Sequence, residues 1–410
     1  MSSESTPKSS HLNIVSGAIA SLQSELIDVS VDIHDHPEIN YQEHRAAAVL
    51  ADSLESHGFT VERGVGGVET AFRATIDGGK GDGPTVAILA EYDALPDIGH
   101  GCGHNLIAIS ALGGGLAAKE LLPNLSGRLV VLGTPAEEGG GGKIRLLDAG
   151  IFKDVDVALS SHPGSNRTVI PTEIPIEESW SLAMVGYRYS YHGKAAHAAV
   201  MPEAGINALN AIVHLFTGID AMRQHLRDDV RIHGVITDGG KAPNVVPDFA
   251  AANFMLRCRD REYLKSVVVE RVQQIAEGVA QITGARLEIE PFYPLYENVI
   301  PNSALAKAAR SNAQAVGMRL DEPAMGRRGS GASTDFGNVS QVVPAFAMSF
   351  AVSEEPVPGH SIAMTKAAIT DLAHANALGV AKTLALTACE LLADSDLLEA
   401  ARLEFTERVR

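Results

Sequence analysis

Thr85-Val86-Ala87-Ile88-Leu89-Ala90 is an unbroken apolar run that ends on Glu91-Tyr92-Asp93-Ala94-Leu95-Pro96, and Gly99-His100-Gly101-Cys102-Gly103-His104-Asn105 follows at once. A short apolar run bounded by turn and charged residues reads as a buried strand. Ala71–Ile76, Arg128–Leu132 and Val155–Ser160 read in the same way. Helical stretches at Asn105–Leu121 and Lys143–Leu147 separate the later strands, and this β/α alternation predicts an α/β fold whose mainly parallel sheet is flanked by helices. Upstream, apolar residues recur at helical spacing over Leu12–Ile33 and Glu43–His57, with Gly58 placed as a helix stop.

The pattern changes near Ser181. Ala183–His192 alternates as a strand, and Gly205–Arg223 is an amphipathic helix. Arg231–Thr237 and Ala250–Leu256 are strands, Glu262–Ile282 a helix and Arg286–Pro291 a strand. This βαββαβ order predicts an inserted α+β domain with an antiparallel or mixed sheet. A helix at Ser303–Ala315, a strand at Val343–Phe350 and a long helix at Thr365–Leu392 then resume the first pattern. The expected organisation is a discontinuous catalytic domain, 1–180 and 295–410, interrupted by a lid domain at 181–294.

Composition narrows the class. At 410 residues the chain exceeds the size at which one core keeps growing. Its 45% hydrophobic and 20% charged residues are those of a globular protein. A net charge of −17 without clustered Lys and Arg argues against a nucleic-acid partner. Three scattered cysteines, Cys102, Cys258 and Cys389, do not form a disulfide framework, so a reducing cytoplasm is expected. The first ten residues are polar and Ser-rich with no apolar h-region behind them, and no stretch reaches ~20 uninterrupted apolar residues. The longest candidate, Leu106–Ala118, is broken by Gly113-Gly114-Gly115, so no membrane association is expected.

The strand ends carry the chemistry. One strand runs into Glu91 and Asp93, the next into Glu137 and Glu138, and the third into His162. Open α/β sheets bind ligands beyond the carboxyl ends of their strands, so these segments converge on one crevice. Cys102 and His104, on a backbone loosened by glycine, are a thiolate and an imidazole of the kind that bind zinc-like cations. With Glu138, His162 and His360 they make five candidate ligands, too many for one tetrahedral site and suited to two metals sharing one donor. Two divalent ions ~3.5–4 Å apart can hold a bridging water, lower its pKa and polarise a scissile carbonyl; Cys102 could bridge them as a thiolate. If the segment is extended, Glu138 meets metal while Glu137 faces substrate as general base. Asp93 is expected to orient a metal-bound imidazole. Gly139-Gly140-Gly141-Gly142-Lys143 lacks the Ser or Thr of a phosphate loop, and no GxGxxG follows a strand, which removes support for a dinucleotide enzyme.

Five ordered motifs together resemble the M20 metallopeptidase family, and most of all its amidohydrolase branch. They are Glu91–Pro96, Gly99–Asn105, Gly133-Thr134-Pro135-Ala136-Glu137-Glu138, His192-Gly193-Lys194-Ala195-Ala196-His197 and Ser333-Thr334-Asp335-Phe336-Gly337-Asn338. The resemblance implies a two-domain enzyme with two divalent ions, Zn2+ or Mn2+, and a lid domain that forms a homodimer. Carried over residue by residue, Cys102, His104, Glu138, His162 and His360 match metal ligands and Glu137 the catalytic base. His197 matches a lid histidine that reaches the partner subunit's site and stabilises the oxyanion, while Asn244 and Arg257 match positions that hold substrate carboxylate or carbonyl groups. Glu91 departs from the pattern, standing where other branches carry a metal-binding histidine, and the residues before His360 differ from that ligand's usual surroundings.

The expected function is therefore metal-dependent hydrolysis of an amide in a small N-acyl amino acid or dipeptide-like substrate. Two alternatives stand beside it: a metal-dependent deaminase of an aromatic or heterocyclic amine, and a non-catalytic protein that retains metal and binds a small acid.

Overall fold

The structure, a computed structural model, describes residues 7–173, 175, 180–322 and 331–409. It divides into two compact units, Met1–Ile176 with Ile300–Arg327 and Asn338–Arg410, and Glu177–Val299 with Arg328–Gly337. The second unit thus includes a short segment from late in the chain.

The first unit begins with helices α1 (Pro7–Asp35) and α2 (His44–Ser56). Strands β1 (Thr60–Arg63), β2 (Phe72–Asp77) and β3 (Thr85–Ala90) follow, then α3 (His104–Lys119), β4 (Arg128–Gly133), α4 (Gly142–Asp148) and β5 (Val157–Pro163). In the second unit come β6 (Ala183–His192), α5 (Ala208–Met222), β7 (Arg231–Asp238) and β8 (Phe249–Cys258). Helix α6 (Arg261–Tyr263) runs through a π-turn into α7 (Glu270–Thr283), and β9 (Arg286–Tyr296) completes the series. The remaining elements are α8 (Ser303–Ala315), α9 (Phe336–Ser340), β10 (Ala345–Phe350), α10 (Ile362–Ala367), α11 (Asp371–Ala393) and α12 (Ser395–Val409).

The first sheet has the order β1-β2-β4-β3-β5-β10. β4, β3, β5 and β10 are parallel neighbours, whereas β2 runs antiparallel to both β1 and β4. This is the mainly parallel α/β sheet expected from sequence. Every residue of β3 is buried, which explains its lack of polar alternation. Helix α3 packs on β3, β4 and β5 and against α1 and α11. The second sheet, β7-β8-β6-β9, is antiparallel throughout, and its core joins α5 and α7 to residues of β6 and β8 such as Tyr189, Tyr191, Phe254 and Leu256.

Three local expectations change. β1 is absent from the strands read from sequence, being four residues with one partly buried position, too short and too polar to show a period. β5 begins and ends later than read, so His162 is its penultimate residue rather than a loop residue beyond it. Among the described residues, Ser9–Asp35 and Asp371–Ala393, rather than Leu106–Ala118, are the helices apolar and long enough to cross a membrane by length and composition; 72% of the second one's window is buried, against 28% of the first's.

Candidate metal centre

Each candidate ligand of the first unit is delivered by a different break in the fold. Gly103, at φ 76°, turns the chain so that His104 opens α3 with Cys102 just outside it. Glu137 and Glu138 lie in a turn after β4, His162 lies at the end of β5, and His360 precedes α10. The expected extended Glu137–Glu138 segment is not found. Ala136 adopts φ 59°, a left-handed value, and Glu137 and Glu138 follow it in a turn.

The donor atoms of Cys102, His104 and His162 all lie within 4.8 Å of one another, as do those of Cys102, Glu138 and His360. The two sets meet at Cys102. A third set, Glu91, His104 and Glu137, satisfies the same limit and is entirely buried. Cys102 Sγ is 3.4 Å from His162 Nε2, and His360 Nε2 is 3.4 Å from Glu138 Oε2. Hydrogen bonds on the far side set the histidine tautomers. His104 Nδ1 lies 3.0 Å from Asp93 Oδ1, and His162 Nδ1 lies 2.8 Å from the Pro163 carbonyl, so each ring donates away from the cluster and turns Nε2 towards it. The other Asp93 oxygen accepts from Glu138 N at 2.8 Å, coupling the imidazole to the carboxylate turn.

These residues suit divalent cations. His104 Nε2 and Glu91 Oε2 are buried without a hydrogen-bond partner, an arrangement that a cation would relieve. Glu91, Asp93, Glu137, Glu138 and a Cys102 thiolate would carry five negative charges, and two divalent ions with Lys143 would neutralise them. Mixed sulfur, nitrogen and oxygen donors are of the kinds that bind divalent transition-metal ions.

The protonation pattern without metal is the reverse of a ligand set. Burial, reinforced by Glu138, pushes the Cys102 thiol well above its ordinary value. Burial opposes a charged His104, but the Asp93 carboxylate outweighs it and raises that imidazole well above its usual range. Burial and then His104 lower His162, leaving it neutral. Near neutral pH a metal must therefore displace protons from both Cys102 and His104, so affinity should rise with pH and binding should release about two protons. Calorimetric titration in buffers of different ionisation enthalpy measures this number; a pH-independent affinity would contradict the assignment.

Two buried groups escaped the sequence. Lys143 is fully buried with Nζ 2.8 Å from Glu91 Oε1, and Glu91 Oε2 in turn lies 3.7 Å from His104 Nε2. Glu43, also fully buried, accepts from the amide of Ala136 at 2.9 Å and is raised to about 7 by burial and then by Asp93. Lys143 closes a glycine run and Glu43 opens a helix, so neither position signals a buried charge.

His197, Asn244 and Arg257 belong to the second unit. His197 bridges Val245, and the Asn244 carbonyl accepts from Ala198 N at 3.0 Å; both residues are exposed. Arg257, on β8, donates to the Gly331 carbonyl and Ser333 Oγ at 3.4 and 3.2 Å, while its buried Nε has no hydrogen-bond partner. Burial lowers its pKa from the usual arginine value.

The chain is similar to known proteins over most of its length. The chain is 36% identical to the Xaa-Arg dipeptidase of Mus musculus, with 90% of this chain and 86% of that protein covered. It is 30% identical to one subunit of the p-aminobenzoyl-glutamate hydrolase of Escherichia coli (strain K12), covering 94% and 92%. Among solved structures, an aminobenzoyl-glutamate utilization protein from Klebsiella pneumoniae superposes with a TM-score of 0.71 at 23% identity, over 92% of this chain and 98% of that one. The Bacillus subtilis YXEP protein, described as a dinuclear metal binding peptidase from the M20 family, gives 0.69 at 22% identity, over 91% and 99%. The profile of peptidase family M20/M25/M40 matches residues 87–378, a span that runs from the β3 strand through every candidate ligand to α11, and the chain belongs to that family.

Proposed function

We propose that this hydrolase of C–N bonds is a dinuclear metal-dependent amidohydrolase acting on a small N-acyl amino acid or dipeptide with a free carboxylate. The observation that carries the proposal is the meeting of two ligand sets at Cys102, with Glu137 buried beside them. Cys102, His104, Glu138, His162 and His360 would hold the ions. When bound, the ions supply an acidified water and a polarised carbonyl. Glu137 takes the proton of the attacking water and passes it to the leaving nitrogen as the C–N bond breaks. Asp93 keeps the His104 ring oriented. Arg257, with a buried donor to spare, is suited to the substrate carboxylate, with Asn244 beside it in role and His197 stabilising the oxyanion. The names of the dipeptidase and aminobenzoyl-glutamate hydrolase relatives agree with an amide that bears a carboxylate on its amine side.

The test is a screen of the metal-reconstituted protein against dipeptides, N-acyl amino acids and aryl amides. Release of an amino acid is expected. If every amide is inert while an aryl amine yields ammonia, the deaminase alternative replaces it.

The proposal includes a homodimer formed through the second unit in a cytoplasmic protein. Strand β7 is an outer strand of its sheet, and Val235 and Ile236 on it are 61% and 42% exposed. The V235K/I236K variant should elute as a monomer with its fold intact. An unchanged mass by light scattering would place any dimer contact elsewhere.

A further inference from the structure

Glu43 stands immediately before α2, where a capping side chain is expected, yet it makes no cap. The amides of Arg45 and Ala46 are taken instead by Glu38, at 2.9–3.0 Å. Glu43 turns inward and uses both oxygens: Oε1 accepts from Ala136 N at 2.9 Å and Oε2 from Thr70 Oγ1 at 3.0 Å. Its target is strained. Ala136, at φ 59°, occupies a region unfavourable to residues with a Cβ, and it directly precedes Glu137 and Glu138.

The same short segment grips the far end of that turn. Tyr41 donates its hydroxyl to the Gly140 carbonyl at 2.6 Å, and Gly140 N donates to the Ala136 carbonyl at 3.0 Å. A Cβ on Gly140 would fall 2.4 Å from Tyr41 Cε2, so the ring closes directly over the turn. Thr70 extends the contact sideways, because its carbonyl accepts from the hydroxyl of Tyr92 at 2.6 Å, between Glu91 and Asp93.

We infer that residues 41–43 clamp the 136–140 turn and that Glu43 is a positioning residue, holding Ala136 left-handed so that Glu137 and Glu138 are aimed at the metal centre. The inference rests on the proposed roles of Glu137 as base and Glu138 as ligand. Its hydrogen bonds require an acceptor at position 43, and the strain at Ala136 supplies an independent handle. Removing the Ala136 side chain lifts the strain that Glu43 holds in check, since glycine adopts positive φ at no steric cost.

The test compares E43A, E43Q, A136G, E43A/A136G and Y41F as metal-reconstituted full chains, reading kcat per folded molecule, KM and metal affinity by chelator competition. E43A should lose about 100-fold in kcat with little change in KM, the scale expected when a reacting group is misplaced by about 1 Å. E43Q keeps an acceptor for Ala136 N and turns its amide nitrogen to the Thr70 hydroxyl, which can rotate to accept, so its loss should stay below about tenfold. E43A/A136G should regain about tenfold or more over E43A. A merely structural Glu43 would lower the melting temperature without this kcat loss or its rescue by glycine. Parental kcat in E43A, or a double variant no better than E43A, overturns the clamp. If E43A does not fold, Y41F decides: reduced kcat in a folded protein is expected, and parental kcat overturns it. E137Q, run in parallel, separates this inference from the base assignment. Should E137Q remain active, that assignment fails on its own, and the clamp is judged by metal affinity, which E43A should weaken through Glu138; unchanged affinity overturns it.

Discussion

Glu137→Gln should retain its metal and fold while kcat falls by about 10²–10⁴-fold, the usual contribution of a positioned general base. Glutamine has the same shape and keeps one carbonyl oxygen, but it cannot accept the proton of an attacking water. Glu137 lies outside both ligand sets that share Cys102, so metal content should not follow activity. It is only 6% exposed and within 4.8 Å of donor atoms of Glu91 and His104, beside the candidate ligands without being one of the five proposed holders. KM should move little, because the lost interaction is with a proton in flight rather than with bound substrate. Metal analysis, kcat and KM on one preparation check this. A variant that turns over at the parental rate would remove Glu137 from the mechanism, and one that loses metal would make it a ligand.

The positions that carry this prediction were legible because strands announce themselves. β3 is apolar along its whole length, β4 from Leu129 onward and β5 over Val157–Leu159, and the polar residues that follow each run stand out against that background. The CxH pair and the Glu-Glu pair could be found for that reason. What holds them could not. Asp93 meeting His104 spans eleven positions, but Glu43 meeting Ala136 spans 93, and nothing local marks a carboxylate that abandons its own helix for a distant amide. The left-handed turn at Ala136 was equally hidden, since alanine carries no signal for positive φ. The extended alternation expected for Glu137 and Glu138 gives way to that turn. Lys143 was hidden in a different way: once the phosphate loop is rejected for want of a Ser or Thr, nothing local gives the lysine a role, and only the folded chain brings it to Glu91.

Lys143→Met should destabilise the metal-free protein by about 3–5 kcal/mol, the scale set by stranding one partner of a buried ion pair. Both side chains are almost wholly buried, at 0% and 4% exposure, so water cannot replace the lost ammonium, and Glu91 would keep only the more distant His104 imidazole, 3.7 Å away, among Asp93, Glu137 and Glu138. Divalent ions beside His104 would take over part of that compensation. The loss should therefore be smaller in the metal-loaded protein, and by reciprocity of linked equilibria K143M should bind metal more tightly than the parent although its fold is weaker. The double variant K143M/E91Q removes both charges and should recover most of the stability while losing the gain in affinity. Thermal melts with and without metal, together with chelator competition, distinguish the outcomes. If K143M is as stable as the parent without metal, or equally damaged in both states, the pair is not the electrostatic counterweight of the centre. A recovery in K143M/E91Q that restores stability but keeps the raised affinity would instead show that Lys143 repels the ions directly, with Glu91 serving only to hold it in place.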